Sequence, residues 1–341
     1  MLALLGLLEL VMAVWVAPKE NNPTNDFAQL LSQMEHGFQY NDGTALQRHG
    51  SRKFAAQEKA KKNEKKETKM KLENKVIVIT GATRGIGRAI AESCGKQGGK
   101  IVICSRREEA VTETVSTLKK KGINISGIAA DVVKGTDLEK LLQHSIAQWG
   151  KIDIWVNNAG LSSGMRAIHE LSEQEIKDVI NVNLTGTIIA CKLILDYFIK
   201  NQGGIIINMG GRGSNGNASP FLTTYAATKA AVVSLTKSLA KEYKRYPVSI
   251  NAVVPGMVAT DFYRDIKIGA NQEDNLDSIP YVLKAFGVPV EEVGDFFTKI
   301  SAQQPGKVTG KTYNLLKGGR LARGIGLMMY YRATGKIKAS M

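Results

Sequence analysis

Three cysteines and four histidines among 341 residues leave little material for a metal centre or a disulfide framework. Cys94, Cys104 and Cys191 fall at spacings that suit neither pairing nor zinc. His36, His49, His144 and His169 follow no ligand pattern. The cysteines are therefore expected as small buried apolar residues in a reducing compartment, and no metal is expected. Uninterrupted hydrophobic runs of membrane-spanning length are also missing. Leu2 to Ala17 is apolar but for Glu9, and sixteen residues rise only ~24 Å as a helix against a ~30 Å hydrocarbon core. No Lys or Arg precedes it, so it makes a poor secretory signal. A short or tilted anchor, or a helix lying in the interface, is the expectation for 1–17.

Acidic residues are scarce where the chain is most basic. The formal charge is +15. Residues 51–75 hold ten Lys/Arg against four acids, and residues 317–341 hold six and no acid, so these two stretches carry +6 each. A nucleic-acid enzyme spreads basic and aromatic residues across its main domain. No nucleic-acid partner is expected. Basic ends suit a membrane surface at both ends of the chain, or are solvated tails. Residues 18–70 are polar, then Lys/Glu-rich with opposite charges four apart, such as Glu58 and Lys62, and are expected as a charged, poorly ordered linker. The folded domain is expected over 71–316 and a basic, apolar tail over 317–341. The localisation expected is membrane-associated, with that domain on the cytosolic or stromal side.

From Lys75 the texture changes. Val76 to Ile79 is a continuous β-branched run, the pattern of a strand covered on both faces. It leads into Thr80-Gly81-Ala82-Thr83-Arg84-Gly85-Ile86-Gly87, then a helix from about Arg88 to Gln97. Strand, glycine turn and helix in that order suit a dinucleotide pyrophosphate: glycines let the backbone approach the phosphates, and the helix N-terminus offers unpaired N–H groups. A second strand, Lys100–Cys104, ends in Ser105-Arg106-Arg107, where an enzyme selecting NAD carries an acid for the ribose hydroxyls. Ser105, Arg106 and Arg84 can instead take the extra phosphate of NADP(H), the cofactor expected.

The alternation continues through helix 108–120, strand 124–130, Asp131-Val132, helix 136–148 and strand 152–156, which ends in Asn157-Asn158-Ala159-Gly160. A helix from Ser172 contains Asn183. A strand 204–208 follows, then a glycine-rich loop and the helix of Tyr225-Ala-Ala-Thr-Lys229. Residues four apart on a helix share a face, and an ammonium beside a phenol favours the phenolate. A surface Tyr and Lys on an ordinary helix give the same spacing. Strand 248–254 closes on Pro255-Gly256-Met257-Val258-Ala259-Thr260, and Val308–Leu316 is expected as the last strand. Phe262, Tyr263, Ile279, Tyr281, Val282, Leu283 and Phe286 suit a lid over a large apolar substrate, or the packing of two helices. Arg320 to Ala339 reads as an apolar–basic helix for a membrane surface, or an arm at a subunit interface.

Taken together, the glycine loop, Asn157-Asn158-Ala159-Gly160, Asn183, Tyr225 with Lys229, and Pro255-Gly256 with Thr260 resemble the short-chain dehydrogenase/reductase family over about residues 75–260. That resemblance implies an α/β fold: a single Rossmann-type, doubly wound parallel sheet of about seven strands with helices on both faces, assembled as a homodimer or homotetramer. It implies Tyr225 as general acid, Lys229 lowering its pKa and holding the nicotinamide ribose, and Asn183 holding a water that links Lys229 to solvent. Asp131 and Val132 would flank the adenine, and Val258 and Thr260 the carboxamide. Gly81, Thr83, Gly85, Ile86, Gly87, Asn157, Ala159, Gly160, Pro255 and Gly256 would complete the cofactor site. The family's substrate-polarising Ser lies thirteen residues before the Tyr; here Arg212 holds that place and Ser214 is the nearest hydroxyl. The run Asn208-Met-Gly-Gly-Arg-Gly-Ser214-Asn-Gly resembles the chlorophyll b reductase branch, implying a chlorophyll-type formyl substrate. A lipid-like ketone of 3-oxoacyl or sterol type is the alternative, and a scaffold that holds NADP(H) without turnover is a further one.

Overall fold

The computed structural model describes residues 71–260, 267–269 and 273–337. The expected anchor 1–17, the linker 18–70 with Glu58 and Lys62, and Phe262 and Tyr263 of the expected lid lie outside them. The described strands are β1 (Val76–Thr80), β2 (Lys100–Ser105), β3 (Ile125–Ala129), β4 (Ile154–Asn157), β5 (Gly204–Met209), β6 (Val248–Val254) and β7 (Thr312–Asn314). They form one sheet in the order β3-β2-β1-β4-β5-β6-β7, and every pairing is parallel. Helices α1 (Gly85–Lys96), α2 (Glu108–Lys120), α3 (Gly135–Trp149), α4 (Glu173–Ile180), α5 (Gly186–Lys200) and α6 (Thr223–Glu242) provide the crossovers. Helices α7 (Glu273–Phe286) and α8 (Val290–Ser301) precede β7, and α9 (Gly319–Ala333) follows it.

Alternate residues of each central strand feed two cores, one on each side of the sheet. Ile77, Ile79, Ile101 and Ile103 pack with Ile90 of α1 and Val293, Phe297 and Ile300 of α8. Val76, Val78, Val102 and Trp155 pack with Leu138 and Leu141 of α3 and Ile194 and Phe198 of α5. This is why the strands read as unbroken apolar runs rather than alternating ones. The order of strands reverses between β1 and β4, leaving a crevice at their C-terminal ends, where such sheets hold ligands.

Several boundaries differ from expectation for local reasons. The first helix begins at Gly85 rather than Arg88, directly after an extended Arg84. The last strand shrinks from the expected Val308–Leu316 to Thr312–Asn314 because side chains replace ladder bonds. Asn251 donates to the Val308 carbonyl at 2.9 Å and accepts from the Lys311 N–H at 3.0 Å, and Thr309 Oγ1 accepts from the Ile250 N–H at 3.1 Å. The helix expected from Ser172 does start there: Ser172 and Glu175 cap its first turn reciprocally. Glu173–Lys200, read through α4 and α5, is long and apolar enough to cross a bilayer. Here it turns Ala190, Cys191, Ile194 and Phe198 into the core.

The expected lid residues that are described lie on α7, where α9 engages two of them. Tyr281 meets Tyr331 edge-on at 5.0 Å between ring centroids, and Phe286 packs against Gly324. Arg320 of α9 binds Glu292 of α8 through both carboxylate oxygens, at 3.0 and 2.7 Å. The three cysteines are buried and unpaired, with burial pushing each thiol up to about 12. No cluster that could hold a metal occurs among the described residues.

Candidate active site

The glycine loop joins β1 to α1 in the crevice. Gly81 has φ +64° and Gly85 φ +54°, conformations that favour a residue without a side chain. A β-carbon on Gly87 would lie 2.5 Å from Asn158 Nδ2 and 2.6 Å from the Gly81 carbonyl. Strands β1 and β4 are laced at this point. Thr80 Oγ1 accepts from the N–H groups of Asn158 and Ala159, both at 3.0 Å, while Asn158 Nδ2 donates to the carbonyls of Thr80 and Gly81 at 2.8 and 3.0 Å. Thr80 and Asn158 thus brace the loop. Their signal in the sequence was their place at two adjacent strand ends.

Asn157 has another job. Its side chain turns into the core, accepting from Trp155 Nε1 at 2.8 Å and donating to Asn208 Oδ1 at 2.8 Å, and Asn208 donates on to Thr236 of α6 at 3.0 Å. Val258 is likewise buried in the core, and Ile86 packs against it. Thr260 reaches the glycine loop: a β-carbon on Gly85 would stand 3.6 Å from its Cβ and Cγ2. Asp131 fixes the turn after β3, accepting from the Val133 N–H at 3.2 Å, and Val132 is buried beside it. Arg84 and Arg106 are exposed and form no ion pair among the described residues. A narrow glycine cradle and a helix N-terminus fit the pyrophosphate of a nicotinamide dinucleotide.

Helix α6 carries Tyr225 and Lys229 to the same crevice. Lys229 is only 3% exposed, and its ammonium stands 5.5 Å from the Tyr225 ring centroid. It donates to the Met209 carbonyl at the end of β5, at 2.9 Å. Burial lowers its pKa from 10.5 to about 8, because an ammonium loses hydration inside the protein. Asn183 sits in a wide turn, Asn181–Thr185, between α4 and α5, the kind of helical bulge that displaces one side chain toward a site. It accepts from the Leu161 N–H at 2.7 Å and donates to the Leu161 carbonyl at 2.9 Å and Thr228 Oγ1 at 3.1 Å. Thr228 donates to the Tyr225 carbonyl at 2.7 Å, which links Asn183 to the tyrosine's own turn. Gly160 lies where Asn183 and Lys229 meet: a β-carbon on it would stand at ordinary contact distance, 3.4 Å from Asn183 Oδ1 and 3.7 Å from Lys229 Nζ. Ser214 Oγ accepts from the Gly211 N–H at 2.9 Å and faces the Lys229 carbonyl at 3.4 Å.

A doubly wound parallel sheet with a glycine cradle at its switch point and a Tyr–Lys pair across from it defines a class of nicotinamide-dependent oxidoreductase folds. The short chain dehydrogenase family model matches residues 75–270, and the chain belongs to that family. It is 39% identical over 192 residues to the chloroplastic chlorophyll(ide) b reductase NOL of Arabidopsis thaliana, covering 54% of this chain and 55% of the relative. It is 31% identical over 253 residues to the 3-oxoacyl-[acyl-carrier-protein] reductase FabG of Staphylococcus epidermidis, covering 72% of this chain and 98% of the relative. The chain spans 40% to 56% of the length of the chlorophyll(ide) b reductases it matches. Among solved structures, a single-substitution variant of actinorhodin polyketide ketoreductase with NADPH aligns with a TM-score of 0.62 at 30% identity, over 71% of this chain and 95% of that one.

Proposed function

We propose that this chain is a nicotinamide-dependent reductase acting on a carbonyl carried by a large apolar substrate, with NADPH as the preferred cofactor. The observation that carries the proposal is Lys229, buried beside Tyr225 with its pKa near 8. A lysine so placed favours ionisation of a neighbouring phenol and keeps it able to exchange protons near neutral pH. NADPH, when bound, supplies the hydride. Tyr225 gives its hydroxyl proton to the substrate oxygen, and Lys229, with Asn183 at the Gly160 junction, carries the replacement proton from solvent. Arg84, Ser105 and Arg106 receive the 2′-phosphate, while the N–H groups at the start of α1 receive the pyrophosphate.

A lipid-like ketone of 3-oxoacyl or sterol type is the reading with the broader support, since the 3-oxoacyl and polyketide reductases align over nearly their whole length. The formyl group of chlorophyll b is the second reading. Its support is the Asn208–Gly216 loop and the higher identity to the chlorophyll(ide) b reductases over a shorter span. Purified protein is mixed with NADPH and, in turn, a 3-oxoacyl thioester, a sterol ketone and chlorophyll b, and loss of the reduced nicotinamide absorbance is followed. Oxidation with one of them assigns the substrate class. Cofactor binding with no oxidation across the panel makes the chain an NADP(H)-holding scaffold instead.

A substrate of this sort dissolves in membranes, and both ends of the chain suit a membrane surface. Each Lys or Arg brought to an anionic bilayer adds roughly 1 kcal/mol, screened by salt. Full-length protein is expected to sediment with membranes and high salt to release only part of it. Deletion of residues 1–70 should make it mostly soluble with NADPH binding intact. Recovery of the full chain wholly in the soluble fraction at low salt would remove the membrane from the proposal. A homodimer or homotetramer is expected on gel filtration with light scattering.

A further inference from the structure

The loop between β5 and α6 assigns its residues differently from the family pattern. A β-carbon on Gly211 would lie 2.5 Å from the Tyr225 hydroxyl, 3.2 Å from Tyr225 Cζ and 3.2 Å from Lys229 Cγ. Contacts below 3.0 Å force something to move, so glycine is the residue that fits while Tyr225 keeps its place. Gly211 therefore directly faces the phenol oxygen. Three residues on, Ser214 has its oxygen engaged by the Gly211 N–H at 2.9 Å, and its proton faces the Lys229 carbonyl at 3.4 Å. The same hydroxyl lies beside Gly210, where an added β-carbon would meet it at 2.9 Å. Next along, Gly213 has φ +86° and lies against Ala226 of α6, with an added β-carbon 2.7 Å from its Cα. The loop is thus pressed onto the first turns of α6 at Ala226 and Lys229, with Ser214 as the hydrogen-bonded rivet.

We propose that Ser214 is a positioning residue, not the donor that polarises the substrate carbonyl, and that Gly211 is the spacer it holds against the Tyr225 hydroxyl. Met209, two residues before Gly211, supplies the carbonyl that anchors Lys229. One short segment therefore sets the position of both members of the Tyr–Lys pair. Met209 fixes the lysine through its carbonyl, and Gly211 fixes the tyrosine through its missing side chain. This inference rests on the reductase reading above for its kinetic arm only.

The test uses the full chain with Ser214→Ala, Ser214→Thr and Gly211→Ala, a small carbonyl (benzaldehyde) and whichever substrate the panel identifies. Ser214→Ala is expected to lower kcat by less than about tenfold and to displace the kcat pH profile, because the contact around the Tyr225 hydroxyl loosens. Ser214→Thr, which keeps the hydroxyl, should restore both. A loss of about a hundredfold or more with an unmoved pH profile, the size expected for a lost carbonyl donor, would make Ser214 that donor and overturn the proposal. Gly211→Ala is expected to cost at least about a hundredfold in kcat with NADPH affinity near wild type. The crystal structure of that variant should show the Tyr225 hydroxyl displaced. A Tyr225 ring that keeps its wild-type position in the Gly211→Ala variant overturns the spacer role, and this arm reads out even if the protein oxidises no NADPH at all.

Discussion

Replacing Lys229 by Met should make the protein more stable and inactive. The ammonium is 3% exposed and its pKa falls from 10.5 to about 8. The folded state therefore binds its proton less readily than the unfolded chain. Stability rises as pH climbs from about 8 to 10.5, and the penalty is fully present below about pH 8. At pH 7 the shift corresponds to about 3 kcal/mol; by pH 10 most of it is gone, leaving roughly 1 kcal/mol. Methionine has a similar length and no charge, but it leaves the Met209 carbonyl without its 2.9 Å donor, at a cost of about 1 kcal/mol. The net gain at pH 7 is about 2 kcal/mol, equivalent to about 4–8 °C in Tm for a domain of this size. Urea unfolding of wild type and Lys229→Met at pH 7 and pH 10, without cofactor, measures it. The variant should be the more stable at pH 7, and the difference should shrink or reverse at pH 10. A variant less stable at pH 7, or a gap independent of pH, would refute the account of a charge held at a cost for catalysis.

Tyr225→Phe should lower kcat by roughly 10²–10⁴ while NADPH binding, followed by fluorescence titration, is spared. Ser105→Asp should raise the KM for NADPH at least about tenfold, since a carboxylate beside a phosphate costs more than ~1.4 kcal/mol, and an unchanged preference for NADPH would displace the 2′-phosphate from this strand end. Asn208→Ala should destabilise by about 1–3 kcal/mol in urea, because it takes the oxygen acceptor from the Asn157 amide in the core and leaves it a 3.5 Å contact with Cys191 Sγ, while the Thr236 hydroxyl keeps its bond to the Val232 carbonyl. A near-neutral result would mean that the Asn157 amide finds another partner.

The strand-turn-helix order, the β-branched runs and the Tyr225–Lys229 spacing were legible in the chain itself, because local chemistry dictates them. Val76 to Ile79 had to be covered on both faces, Ser172 with Glu175 had to start a helix, and residues four apart had to share one. Tertiary structure decided what no local pattern encodes. Asn157 reads like a ligand at a strand end, yet Asn208 arrives on the neighbouring strand and draws its side chain into the core. The strand expected over Val308–Leu316 is cut short because Asn251 and Thr309 take backbone groups that a ladder would use. Tyr281 and Phe286, which suited either a substrate lid or the packing of two helices, pack against α9. Ser214 counts as the nearest hydroxyl along the chain, while in space Gly211 faces the tyrosine. Residue order determines which groups each position offers and the period at which they recur. Which partner takes them depends on segments dozens of residues away, and only the folded packing brings those together.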